Sequence, residues 1–156
     1  MSPDNIEKGR VVPLLNKILE MELASVVRYT HYSLMIFGYN RIPIVSWLRD
    51  QASESMAHAV KAGEMITSLG EHPSLAIGHL LETHKHDIGA ILHEALESEM
   101  EGLSLYQELL GLVAGKSVML EEYAREMVYT EQMHLHEVDK MLRKPGDVAT
   151  FAATAK

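Results

Sequence analysis

Apolar positions recur every three to four residues through most of the chain, in stretches rich in Leu, Met, Ala and Glu. No segment alternates apolar and polar residues as a half-buried strand would, so the pattern predicts long amphipathic helices and no sheet. Breaks fall at Gly38 to Pro43, Gly70 to Gly78, Ala114 to Ser117 and Lys144-Pro145-Gly146. Four helices result. The first starts at Asp4 or Val11 and runs to Phe37; the choice turns on Pro13, which suits a first turn and would otherwise kink the helix. The second starts near Pro43 and ends at Leu69, with Gly70 as a left-handed C-cap. The third starts between Ile77 and Asp87 and ends near Val113. The fourth follows Ser117, a suitable N-cap, and ends at Arg143.

Helices one and two, and helices three and four, are joined by a few residues each, which makes them antiparallel neighbours. Gly70 to about His86 is a long middle connection, enough for the second hairpin to dock on the first by a crossover. The expected fold is an all-α antiparallel four-helix bundle over residues 1–146. The tail, 147–156, is too short for a substantial fifth helix.

Polar residues interrupt the apolar stripes at corresponding places. At about 100° per residue, Glu22 shares its face with Leu15, Ile18, Val26, Tyr29 and Ile36. Glu99 lies with Leu92, Leu103, Tyr106 and Leu110. His58 lies with Trp47, Glu54, Met65 and Leu69, and His134 with Tyr123, Met127, Glu131 and Val138. Each hairpin thus carries a lone glutamate on its first helix and a carboxylate with a histidine on its second. Taken singly, each has a bland reading: a glutamate at a helix edge reaching water, or a core histidine bonded to backbone. Taken together, four carboxylates in one core repel one another and resist burial. Two divalent cations would neutralise them, with two imidazoles completing the shells, as in di-iron and di-manganese bundles.

Composition narrows the chemistry. Of 156 residues none is cysteine, which excludes disulfides, thiolate metal sites and cysteine nucleophiles, and leaves carboxylates and nine histidines as donors. Net charge is −8, with the 14 Lys and Arg scattered among acidic residues, so nucleic acid is not an expected partner. No run approaches the roughly 18 apolar residues of a membrane span, and Met1 to Asn5 lacks a signal-peptide pattern. The expectation is a cytoplasmic protein. His72, His79, His84, His86 and His93 crowd the crossover and the next helix, where a surface or inter-subunit role is expected.

The segment Leu15 to Leu23, Glu99-Met100-Glu101-Gly102, and Glu131 with His134 three residues later together resemble the bacterioferritin branch of the ferritin-like superfamily, up to about Arg143. The resemblance implies Glu22 and Glu99 as terminal ligands, Glu131 as a bridging ligand, His58 and His134 as one imidazole per metal, and Tyr29 as the catalytic tyrosine beside the metals. It implies a di-iron centre, with di-manganese as the alternative, oxidation of Fe(II) by dioxygen or peroxide, and iron storage or detoxification in a homo-oligomer built from dimers. One ligand departs from the pattern: where the family has a glutamate three residues before the histidine of helix two, this chain has Ser55-Met56-Ala57-His58. Glu54, about 40° around the helix from His58, is expected to replace it. Met56 aligns with the family's inter-subunit haem ligand, so haem is a further expected cofactor, with plain dimer contact as its rival. Two other readings stay open: a rubrerythrin-like peroxidase or small di-metal oxidase that stores no iron, and a metal-free structural bundle.

Overall fold

The computed structural model describes residues 5–151. Four helices account for most of them: α1 Lys8–Met35, α2 Arg41–Ser68, α3 Ile88–Val113 and α4 Val118–Leu142. Among the described residues no helix is long and apolar enough to cross a membrane.

Local chemistry sets the ends. Asp87 accepts a hydrogen bond from the Ala90 amide at 3.2 Å and caps α3, and Ser117 accepts one from Leu120 at 3.4 Å and caps α4. Beyond α2, Gly70 adopts φ +77. The Glu71 amide then reaches back to the Ile66 carbonyl at 3.2 Å, and Gly70 itself to Thr67 at 2.9 Å, the bond pair of a Schellman stop. Pro43 lies in the first turn of α2, which begins at Arg41. α1 begins at Lys8, between the two expected starts, so Pro13 falls in the second turn rather than the first. Helix continuity there is set by the buried stripe Val11, Leu14, Leu15 and Ile18, which outweighs the missing amide.

Contacts fix the directions. Lys8 at the start of α1 bonds the Leu69 carbonyl at the end of α2. Tyr106 of α3 bonds Glu22, while Tyr32 bonds Glu94. Lys61 of α2 meets Glu126 of α4, and Glu54 meets His134. α1 is therefore antiparallel to α2 and α3, and α4 is antiparallel to α2; α2 and α3 run the same way. A chain leaving α2 must travel back along the bundle, roughly 40 Å for a helix of this length, before α3 can start. The crossover does this against α1. The Ser74 amide donates to Asn16 Oδ1 at 2.8 Å, the Gly78 amide to the Glu20 carbonyl at 2.9 Å, and Glu82 meets His31 at 2.7 Å. Gly78 is required by space: a Cβ there would stand 2.9 Å from the Glu20 oxygen and 3.3 Å from Ala24 Cβ.

The core is divided. One apolar cluster packs Leu15, Ile18, Ile66, Leu109 and Leu120, among others; a second packs Tyr29, Ile36, Leu48 and Ile91. Between them lies a buried polar band containing Glu22, Ser55, His58, Glu99 and Glu131. Residues 143–150 are non-helical, and Phe151 returns to the bundle, its amide bonded to Asp139 at 3.2 Å and its ring 6.0 Å from that of His93. The rest of the expected tail lies outside the described residues.

Candidate metal centre

Every helix contributes to the polar band, each from the middle of its length, because the stripe that buries the apolar neighbours also turns these side chains inward. Two three-residue groups form, Glu22 with His58 and Glu131, and Glu99 with Glu131 and His134, each with donor atoms within 4.8 Å of one another. Glu131 belongs to both.

Orientation is consistent across the two groups. His58 turns Nδ1 toward Glu22 Oε1 at 3.5 Å and Glu131 Oε1 at 3.8 Å. His134 turns Nδ1 toward Glu99 Oε2 at 3.9 Å. These separations are near the roughly 3 to 3.5 Å between two donors held at about 2.1 Å on one ion. The imidazoles are nearly parallel, with centroids 6.3 Å apart.

Two tyrosines fix the outer carboxylates. Tyr29 donates its hydroxyl to Glu99 Oε1 at 2.6 Å, and Tyr106 donates to Glu22 Oε1 at 2.8 Å. In Glu99 the tyrosine takes Oε1 and Oε2 faces His134, whereas in Glu22 the same Oε1 accepts from Tyr106 and faces His58. The family resemblance implies Tyr29 beside the site, while periodicity puts Tyr106 only on the face of Glu99; the Tyr106 bond reaches across to α1, which no spacing within α3 could show.

Glu54 stands apart. The structure brings it to both histidines, but on the opposite ring nitrogens: Oε1 is 3.7 Å from His58 Nε2, and Oε2 is 3.0 Å from His134 Nε2. It belongs to neither three-residue group. Its side chain is 38% exposed against 4% for Glu131, so it marks the side where the band meets solvent. Ser55 is buried. Met56 lies on the outer face, 45% exposed, in an open cleft with Val26, Thr30, Arg49, Ala52 and Ser53.

Electrostatics follow burial. Removal from water pushes the Glu131 carboxyl far above the usual carboxylate range, and its hydrogen bond with Glu99 and the charges of Glu99, Glu22 and Glu54 push the same way. Burial also opposes ionisation of Glu99, but hydrogen bonds from Glu131, His134 and Tyr29 outweigh it and hold Glu99 low. Glu131 therefore keeps a proton that it donates to Glu99. Burial works against a charged His134, yet the carboxylates of Glu99 and Glu54 overcome it and raise the imidazole. Burial, followed by the charge of Glu99, raises Tyr29 well above its ordinary value, so it remains a donor. The donor set fits two hard or borderline divalent cations: it offers oxygen and nitrogen only, it is pre-oriented by hydrogen bonds, and one carboxylate is shared.

Residues 12–146 match the family model of the ferritin-like domain, and the chain belongs to that family. No curated protein matches the sequence. Among solved structures, the chain is similar to a ferritin-like, diiron-carboxylate protein from Bacillus anthracis str. Ames, with 24% identity, TM-score 0.82, and 92% of this chain and 100% of that one covered. It is also similar to the bacterioferritin-related protein of Bacteroides fragilis, described as a dodecameric thioferritin (21% identity, TM-score 0.81, 88% and 86% covered). Rhodobacter capsulatus bacterioferritin, described with a metal-free dinuclear site and haem iron, aligns at 20% identity and TM-score 0.77, again over 88% and 86%. At such identities the likeness establishes the fold.

Proposed function

We propose that this chain holds two iron ions between its four helices and oxidises Fe(II) with dioxygen or peroxide. The observation that carries this reading is the sharing of Glu131 between two three-residue donor groups. In it, Glu22 and His58 would hold one ion, Glu99 and His134 the other, and Glu131 would serve both. Two Fe(II) held there as substrate would each give up one electron, reducing one dioxygen to peroxide or one peroxide to water and leaving two Fe(III). The protein's part is to hold that place. Tyr29 and Tyr106 orient the terminal carboxylates, the two apolar clusters exclude water on either side, and Glu131 releases its proton to bind. Glu54 steadies both imidazoles through Nε2 and gives ions a part-exposed carboxylate at which to enter.

Support from relatives is the diiron-carboxylate and bacterioferritin character of the structural neighbours. Their dodecameric example favours an assembly of several copies, and exposed Leu34 on α1, Phe37 in the turn after it, and Ile42 and Val60 on α2 supply apolar surface for pairing. A haem at Met56 would need the thioether of a second copy; an intense absorption band near 400 nm in the purified protein is its test. Anaerobic Fe(II) titration followed by oxygen tests the main reading. Two Fe(II) per chain that oxidise on exposure support it, and failure to bind stoichiometric iron overturns it. Assembly mass decides storage: a cage-sized particle that retains Fe(III) supports it, and oxidation by a small oligomer assigns the chain to the non-storing oxidases.

A further inference from the structure

The crossover carries a second concentration of metal-binding side chains. Glu82, His84 and His86 occur at every other residue, and their donor atoms lie within 4.8 Å of one another. The cluster is on the surface: the His84 side chain is 82% exposed and that of Glu82 40%.

The segment is held in shape from three sides. Glu82 Oε1 accepts the His84 amide at 2.6 Å, while Oε2 faces His31 Nε2 of α1 at 2.7 Å. Between them Thr83 donates to Glu94 of α3, which also accepts from Tyr32 of α1. His84 has φ +57, a left-handed conformation uncommon outside glycine, and with it the ring returns to 4.0 Å from Glu82 Oε1. The His86 ring meets both neighbours edge-on, 6.3 Å from His31 and 6.4 Å from His84. Three imidazoles thus surround one carboxylate.

We propose that Glu82, His84 and His86 form a separate site for a borderline divalent transition ion, Zn(II) or Cu(II), with His31 positioning Glu82 from behind. Its donors are two nitrogens and one oxygen, where the core offers mainly oxygen, and nitrogen-rich sites favour these ions over hard ones. Three protein ligands leave a fourth position for water. Because Glu82 is tied to His31, an ion here also pins the crossover to α1.

Metal-free assembled protein is titrated with Zn(II) alone, and tightly held zinc per chain is counted for wild type, His84→Gln with His86→Gln, and His31→Gln. The double variant is expected to hold one Zn(II) fewer per chain, while its Fe(II) stoichiometry and metal-free melting temperature stay at wild-type values. His31→Gln is expected to keep the count and lose about 10- to 100-fold in affinity, the usual cost of removing a group that orients a ligand. Cu(II) added at one equivalent should show a spin-resonance spectrum with two coupled nitrogens, lost in the double variant. Equal zinc counts in wild type and double variant overturn the proposal. So does a Cu(II) spectrum unchanged by the substitutions. Fe(II) stoichiometry reports on the core independently, so the failure of one site is distinguishable from failure of the other.

Discussion

The α2 and α4 halves of the core centre differ by one residue of spacing. On α4, Glu131 and His134 are three apart; on α2, the carboxylate is Glu54, four before His58, and Ser55 takes the three-apart position. One residue turns a side chain by about 100°. Glu131 is consequently buried, facing His58 Nδ1 and grouped with His134, while Glu54 arrives from the solvent edge on the Nε2 side of both rings. The same functional group, moved one position, changes from a shared donor to a clamp on the back of two imidazoles.

Substitution at the two carboxylates tests that difference most strongly. Glu131→Ala removes a member of both groups, so Fe(II) binding should fall below two per chain and the oxidation rate by 100-fold or more, measured by stopped-flow absorbance. Glu54→Ala should keep two Fe(II) per chain and weaken their binding by about 10- to 100-fold, as loss of a supporting partner does. If Glu54→Ala instead loses one ion outright, Glu54 is a ligand and the halves are equivalent in use despite their spacing.

The pH dependence of metal-free protein gives a smaller effect. The folded chain keeps the Glu131 proton at pH values where the unfolded chain, near 4.5, has released it. Stability from this group is full below 4.5 and declines as pH rises across neutrality, by up to about 1.4 kcal/mol per pH unit. Glu99 acts oppositely: held low, it contributes stability above 4.5 that is lost as pH falls toward about 2. The pair alone therefore favours a maximum near pH 4.5. In denaturant melts Glu131→Gln should flatten the decline above that pH, whereas Glu54→Gln should leave it in place.

Much of this was legible in the chain. Gly70, Pro43 and Ser117 act through local backbone chemistry, so their sequence positions set helix ends directly, whereas the start of α3, open in the sequence from Ile77 to Asp87, is fixed by the Asp87 cap. The inward stripe of Glu22, Glu99, Glu131, His58 and His134 was legible because helical periodicity is enough to place a residue on a face. Periodicity does not say which ring nitrogen a neighbour meets, which is why Glu54 could be placed near His58 but not on its Nε2 side. Nor does it show bonds between helices, such as Tyr106 to Glu22, or the tie of His31 to Glu82 across the crossover. The start of α1 was ambiguous for a related reason: Pro13 argues locally for a later start, and the buried stripe around it decides otherwise.

The smallest expected effects come from the two tyrosines, which are matched across the halves as the carboxylates are not. Tyr29→Phe and Tyr106→Phe each remove one hydrogen bond to a terminal glutamate, and leave one oxygen of Glu99 or Glu22 without its donor. Each should cost about 1–3 kcal/mol in the metal-free protein, read from urea midpoints. In the Fe(II)-loaded protein the cost should shrink, because a bound cation supplies the carboxylate with a new partner. Equal losses in the two variants would show that the centre is symmetric at its outer carboxylates and asymmetric only across α2 and α4. A clearly larger loss for Tyr29→Phe would trace to Glu99, which also accepts from Glu131 and faces His134, and would extend the asymmetry to α1 and α3.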